Sequence, residues 1–265
     1  MKHGFSIFFA VFITLGASWL GFVVGPAIQL GRATQTATLG PKDAYPIQRT
    51  GEATLGLQVY RANGCAACHT EQVRQTGSIF DIAVTGLGTK NPADVTKLLT
   101  TLKTNDLSKE EADSANDQLT ALGAKFETHM TATGPDIAKG WGVRRSVAAD
   151  FLYDYPVQVG SIRVGPDLAN AGLRFPDAAL VLQHLYAPQS VVKDSAMPSF
   201  KFLFEVRTNS GALSPDALNL PAGIAPAGCE VVPTTEAREL AAYILSLKAN
   251  APLYEAPFTP ITAKP

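Results

Sequence analysis

Five residues carry the chemistry most open to reading in this chain: Cys65-Ala66-Ala67-Cys68-His69. Two cysteines three apart, with a histidine directly after the second, form the pattern of covalent haem attachment. One helical turn puts both thiols on one side, where they can add to the two vinyl groups of a single porphyrin. The adjacent imidazole then faces the iron. A lone C-x-x-C would also suit a redox dithiol or a zinc site. A dithiol has no use for the histidine, and no strand–helix–strand pattern surrounds the motif. Zinc needs further ligands, and neither Cys229 nor His129 is suitably spaced. The motif occurs once, so one covalently attached haem c is expected.

The sixth iron position has few candidates. The chain has three methionines and four histidines. Met197, in Ser195-Ala196-Met197-Pro198, sits in a loop before the last helix, where a loop can fold over the distal face. A methionine there closes the site and raises the reduction potential. His69 and Met197 are therefore the expected axial pair. Met130 and His129 fall at the end of a charged helical segment; His3 lies in the N-terminal apolar region. His184 stands on an apolar helical stripe with Val181 and Leu185 and reads as a packed, hydrogen-bonded histidine. In Gly165-Pro166-Asp167-Leu168, the Pro166 carbonyl is a candidate acceptor for the Nδ1–H of His69, which fixes ring orientation and basicity. Arg163 is a candidate to neutralise a haem propionate, with Arg74, Arg144 and Arg145 as weaker candidates.

The elements that must position these groups are mainly helical. From Phe5 to Leu30 the chain carries no charge, long enough for a transmembrane anchor over residues 1–30. A cleaved signal peptide, cut near Gly16-Ala17-Ser18, is the competing reading, but the apolar run continues past that point. Either reading exports the chain beyond about residue 35. Residues 31–50 read as a linker, 51–250 as the haem-bearing domain and 251–265 as a tail. A helix over 51–63 leads into the cysteines. Residues 78–140 form an inserted helical segment with two antiparallel helices, about 92–103 and 109–130; Asn91 offers the first N-cap, and Ser108 with Glu111 a capping box. Loops fill 134–173 and most of 205–233, with a helix over 176–186 between them. Thr234 caps a last helix to about Lys248 whose Leu240, Tyr243, Ile244 and Leu247 recur at helical spacing.

Composition sets the outer limits. The 265 residues are 46% hydrophobic and only 17% charged, with formal net charge −1. That balance makes no electrostatic case for nucleic acid. Three cysteines are too few for a disulfide scaffold.

The order of parts resembles the class I cytochrome c fold: a helix into C-x-x-C-H, then G-P-D-L, then M-P, then a terminal helix. That fold implies a close crossing of first and last helices, with Gly56 and Tyr60 meeting Tyr243. More specifically, the chain resembles the membrane-anchored monohaem subunit II of cbb3-type cytochrome c oxidases. The resemblance rests on the N-terminal anchor, Gly64 to His69 with Arg74, Ser146-Val147, Tyr153 to Pro156, Gly160 to Leu168, His184 to Pro188, Val191-Val192 and Ser195 to Pro198. It implies a subunit that takes electrons from a cytochrome c donor subunit and passes them to the haem-copper catalytic subunit I, where oxygen is reduced. It also implies a place in the bacterial cytoplasmic membrane with the haem domain on the periplasmic side, and calcium at a subunit interface. The chain departs from the pattern in the 78–140 insertion and in Gln75, where the family has proline. A free-standing anchored shuttle, or the cytochrome subunit of a complex such as nitric oxide reductase, shares the one-anchor, one-haem plan. A peroxidase-like haem enzyme would need an open iron site or a second haem.

Overall fold

The computed structural model describes residues 4–32, 35–40, 43–88, 92–209 and 211–251. His3, the Asn91 cap and all of the 251–265 tail except Ala251 lie outside these. The chain divides into two compact units, one of residues 1–49 with 147–157 and one of residues 50–146 with 158–265.

The first unit begins with one long apolar rod. Helix α1 (Gly4–Trp19) runs through a π-helical turn, Leu20–Val24, into α2 (Gly25–Gly31). The segment is 28 residues long; its most apolar 18 residues have a mean hydropathy of 2.3, and none of them is buried. At 1.5 Å per residue it extends about 42 Å, enough to cross a bilayer. The π turn lies just before Pro26. Proline has no N–H and crowds the carbonyl four residues back; here the preceding N–H of Gly25 reaches five residues back, to Leu20, and the widened turn absorbs the proline. The expected linker is not all coil. Strands β1 (Thr36–Gly40) and β2 (Asp43–Tyr45) pair antiparallel. Within the same unit, the Tyr45 hydroxyl donates to Asp150 at 2.9 Å, and Arg49 pairs with Asp154 while both are largely buried.

The second unit is organised by a helix crossing. Helix α3 (Glu52–Ala62) packs against the terminal helix through Gly56. A Cβ at Gly56 would stand 1.9 Å from the Glu239 carbonyl oxygen and 2.7 Å from the Tyr243 Cβ. The Tyr60 and Tyr243 rings meet at 5.2 Å. This is the contact expected between first and last helices.

The inserted segment differs from the all-helical reading. It opens with strand β3 (Gly77–Gly86), continues through α4 (Pro92–Leu99) and α5 (Lys109–Ala121), and closes with β4 (Lys125–Thr133). The strands pair antiparallel from Gly77↔Thr133 to Gly86↔Lys125. The Ser108–Glu111 capping box is present, with both bonds made at 3.2 and 2.8 Å. Helix α5 stops at Ala121 because Gly123, at φ +74°, reverses the chain. Beyond it the pattern becomes period two. Phe80, Ile82, Val95, Leu107 and Leu119 form a core of the insertion's own.

After β4 come short α6 (Pro135–Ala138), α7 (Ala171–Arg174), α8 (Ala178–Tyr186) and α9 (Pro188–Val191). Asp177, not Pro176, starts α8: its side chain accepts the Leu180 N–H at 2.9 Å. The 205–233 loop proves to be bounded by paired strands, β5 (Phe204–Thr208) and β6 (Cys229–Pro233). Helix α10 (Thr235–Ser246) is capped by Thr234 and ends two residues before Lys248. Its Leu240, Tyr243, Ile244 and the following Leu247 are buried as the stripe implies.

Gly56→Ala tests the crossing. Alanine gains about 1 kcal/mol of intrinsic helix propensity over glycine, but its methyl group meets main-chain atoms that cannot rotate away. Overpacking of this kind costs about 1–3 kcal/mol, and here the upper end applies. A net loss of about 2 kcal/mol, several degrees in Tm, is expected in thermal unfolding; an unchanged Tm would mean the helices separate freely.

Candidate cofactor site

Helix α3 ends at Asn63, and Gly64 turns the chain in the left-handed region at φ +66°. Cys65–Ala67 then form a 3-10 turn. The amides of Cys68 and His69 both donate to the Cys65 carbonyl, at 3.1 and 3.0 Å. The turn holds the two cysteines and the histidine as a compact group, and both thiols are free. Cys68 is exposed, while burial pushes the Cys65 thiol up to about 11. A redox-active dithiol or thiolate metal site relies on lowered thiol pKa values, so this cysteine is poorly suited to either.

The segment after the motif is zipped to the G-P-D-L loop. Gly165 N–H donates to Cys68 O at 2.9 Å, and Leu168 N–H to Thr70 O at 2.7 Å. Between them, His69 Nδ1 lies 2.8 Å from the Pro166 carbonyl. A carbonyl only accepts, so Nδ1 carries the proton and Nε2 keeps a free lone pair. Asp167, fully buried, anchors the loop by accepting from Thr70 Oγ1 at 2.5 Å, Gln72 N–H at 2.8 Å and Ala169 N–H at 2.9 Å. Gly165 is obligatory: a Cβ there would sit 2.3 Å from His69 Cε1.

These groups open on a cavity of about 470 Å³ with largely apolar walls. Cys65, Cys68, His69, Pro166 and Met197 all line it. Met197 comes from the loop after α9. That loop is held by the Phe200 N–H to Leu185 carbonyl bond at 2.9 Å, and Ser195 Oγ accepts the Met197 N–H at 3.3 Å. Leu240 and Ile244 of α10 complete one wall.

Other candidates fall elsewhere. His129 and Met130 lie on β4, away from the cavity. His184 does line it. Among the described residues its buried Nδ1 has no partner; its ring meets Phe175 edge-on at 6.1 Å, and burial, with His69 nearby, lowers its pKa. Arg163 is not among the residues that line the cavity. Its guanidinium is bound to Asp136 by two bonds of 2.8 Å and to Asp167 at 3.1 Å, and its side chain is only 15% exposed. Arg144 is likewise engaged, donating from Nε to Ala251 O at 2.8 Å.

Arg174, not singled out from the sequence, does line the cavity. Its Nη2 donates to the Asp167 carbonyl, its buried Nε has no partner among the described residues, and burial lowers its pKa. The available signal was its position just after the G-P-D-L loop, at the end of a single helical turn. For the calcium expected at an interface, no group of three or more His, Cys, Asp or Glu side chains is gathered among the described residues.

Residues 136–220 match the family model described as cytochrome c oxidase, mono-heme subunit/FixO. The middle of this chain is FixO-like. The matched stretch contains Pro166, Arg174, His184 and Met197, and the family agrees with the resemblance to subunit II of cbb3-type oxidases read from the motifs. The FixO-like stretch begins at Asp136, just after β4, so Cys65 to His69 lie outside it. No curated protein matches the chain.

Burial of Cys65 yields a direct test in haem-free protein. Thiolate is the reactive form, and its fraction rises about tenfold per pH unit below the pKa. Iodoacetamide at pH 8 is expected to label Cys68 well before Cys65, with Cys65 labelling accelerating steadily up to about pH 11. Equal rates at pH 8 by peptide mass spectrometry would contradict the burial.

Proposed function

We propose that the chain is the membrane-anchored monohaem cytochrome c subunit of a cbb3-type haem-copper oxidase, relaying electrons from a cytochrome c donor subunit to catalytic subunit I. One observation carries the reading: Cys65, Cys68, His69, Pro166 and Met197, far apart in the chain, line one cavity, with His69 Nε2 left free by the Nδ1–Pro166 bond. The FixO match over 136–220 supports the same assignment. The α3–α10 crossing, which the class I cytochrome c fold implies, agrees with it.

The cavity fits a haem. Gly165 leaves a cradle against the His69 ring that any Cβ would fill. Apolar walls suit a porphyrin face, and Arg174, short of a partner at Nε, suits an anionic edge such as a propionate. Cys65 and Cys68 would hold the group by thioether bonds, with His69 and Met197 as axial ligands. When bound, the haem supplies one-electron redox chemistry, at a potential raised by methionine ligation. The protein's own work is positional. Pro166 fixes the imidazole plane and keeps its proton at Nδ1. Leu168, Leu185, Leu240 and Ile244 exclude water, which keeps reorganisation small when charge changes. With His69 and Met197 both holding the group, no position would be left for substrate, so the chain would carry electrons and oxygen chemistry would fall to a partner. The helix over Gly4–Gly31 would anchor it in the bacterial cytoplasmic membrane, with the haem domain on the periplasmic side.

Extraction of native membranes in mild detergent, with this chain as the handle, tests the assignment. Haem c, haem b, copper and oxygen consumption should co-purify. One haem c per chain without oxidase activity, under conditions that preserve complexes, would favour a free-standing shuttle instead. Within the complex, Met197→Ala is expected to keep the covalent haem, lower its midpoint potential and slow oxygen consumption. A Met197→Ala protein with unchanged potential in redox titration would remove Met197 as a ligand.

A further inference from the structure

Arg163 sits at the centre of a buried network beside the proximal histidine. Its Nε donates to Thr70 Oγ1 at 2.7 Å. Nη1 is shared by both Asp136 oxygens at 2.8 Å. Nη2 reaches the Gln72 carbonyl and Asp167 Oδ2, the latter at 3.1 Å. The Trp141 ring lies 5.3 Å from its Cζ, with Lys139 Nζ 4.7 Å from the same ring. Asp136 also accepts the Arg74 N–H at 2.8 Å. The three ionic side chains are at most 15% exposed.

Three of the four residues to which Arg163 donates, Thr70, Gln72 and Asp167, belong to segments that fix His69. Thr70 and Gln72 come just after the histidine. Asp167 follows Pro166, the acceptor of the His69 Nδ1 proton. Asp136 begins the turn that succeeds the insertion's last strand. A planar guanidinium can meet these acceptors in several directions at once; an ammonium of equal charge cannot.

We propose that Arg163 is a positioning residue for the proximal ligand: it holds the loops on either side of the His69–Pro166 hydrogen bond at their present separation and ties that bond to the exit of the insertion through Asp136. The inference rests on haem binding at His69, as proposed above. A stronger Nδ1–H to carbonyl bond makes the imidazole a better donor to iron and stabilises the oxidised state. Loosening the network weakens that bond and raises the midpoint potential, at unchanged local charge.

Arg163→Lys in the complex purified from native membranes tests this, because it keeps the charge and loses the fork. Covalent haem is read by in-gel haem staining, the potential by equilibrium redox titration, and imidazole orientation by electron paramagnetic resonance of the oxidised haem c. The expected result is full covalent haem, an upward shift of potential and an altered resonance. Should Arg163→Lys fail to accumulate, Thr70→Val removes the bridging hydroxyl without touching charge, and Thr70→Ser restores it: the shift should appear in the first and vanish in the second. Unchanged potential and resonance in Arg163→Lys, or in Thr70→Val where the lysine variant is lost, overturns the proposal and leaves the haem assignment standing. Wild-type chain without covalent haem overturns both.

Discussion

An imidazole that is to bind iron must be held by one nitrogen and left bare at the other. The 2.8 Å contact between His69 Nδ1 and the Pro166 carbonyl meets that constraint. Proline suits the acceptor position because its φ is fixed. The contact is not isolated, for it lies inside a ladder that begins with Gly165 N–H on Cys68 O and ends with Gln72 N–H on Asp167. A carboxylate as buried as Asp167 is tolerable only when saturated with donors, and here two amides, a hydroxyl and a guanidinium supply them. Saturation in turn makes the loop stiff, and the stiff loop fixes the His69 ring.

The helix crossing serves the same end from the other side. Gly56 lets α3 and α10 approach until the Glu239 carbonyl occupies the space a side chain would take. The motif comes after α3 with only Asn63 and Gly64 between, so the placement of that helix decides where the cysteines stand. Residues on successive turns of α10, Leu240 and Ile244, reach the cavity, while Tyr243, one position before Ile244, binds Glu71 through its hydroxyl at 2.9 Å. Packing and cavity wall are therefore two sides of one helix. Burial and the Glu71 carboxylate raise the Tyr60 phenol well above its ordinary range, which keeps it neutral at the cavity's inner end.

The parts of the molecule legible in the sequence were those that depend on local chemistry. C-x-x-C-H, G-P-D-L and M-P announce themselves because each needs a particular residue at a particular place. Ser108 and Thr234 announce helix starts because a hydroxyl must reach an amide three residues on. The strands escaped because nothing local compels them. Lys125 to Thr133 is polar enough to pass as the tail of a charged helix, and only Gly123 marks the boundary. Residues 204–208 and 229–233 are each too short to read as strands until they find each other across an irregular loop. Arg163 and Arg174 were harder still. Both flank the same loop, and which of them faces the cavity is decided by Asp136, 27 residues before Arg163. A charge partner so distant leaves no mark in the sequence around either arginine.

The same geometry explains how a segment of this size can interrupt the unit that carries the cavity. β3 and β4 are antiparallel and paired to their ends, so Gly77 lies opposite Thr133, and the Thr76 amide reaches the Thr133 carbonyl at 2.9 Å. The chain therefore leaves and re-enters the domain at neighbouring points, and closing a longer loop adds only a logarithmic entropic term. The insertion buries its own Val95, Leu107 and Leu119 and draws on none of the residues around the cavity. What it returns to the domain is Asp136, the carboxylate that seats Arg163. A segment with a core of its own, which leads into a buried ion pair beside the His69 loop, is packed apart from the site and joined to it in position.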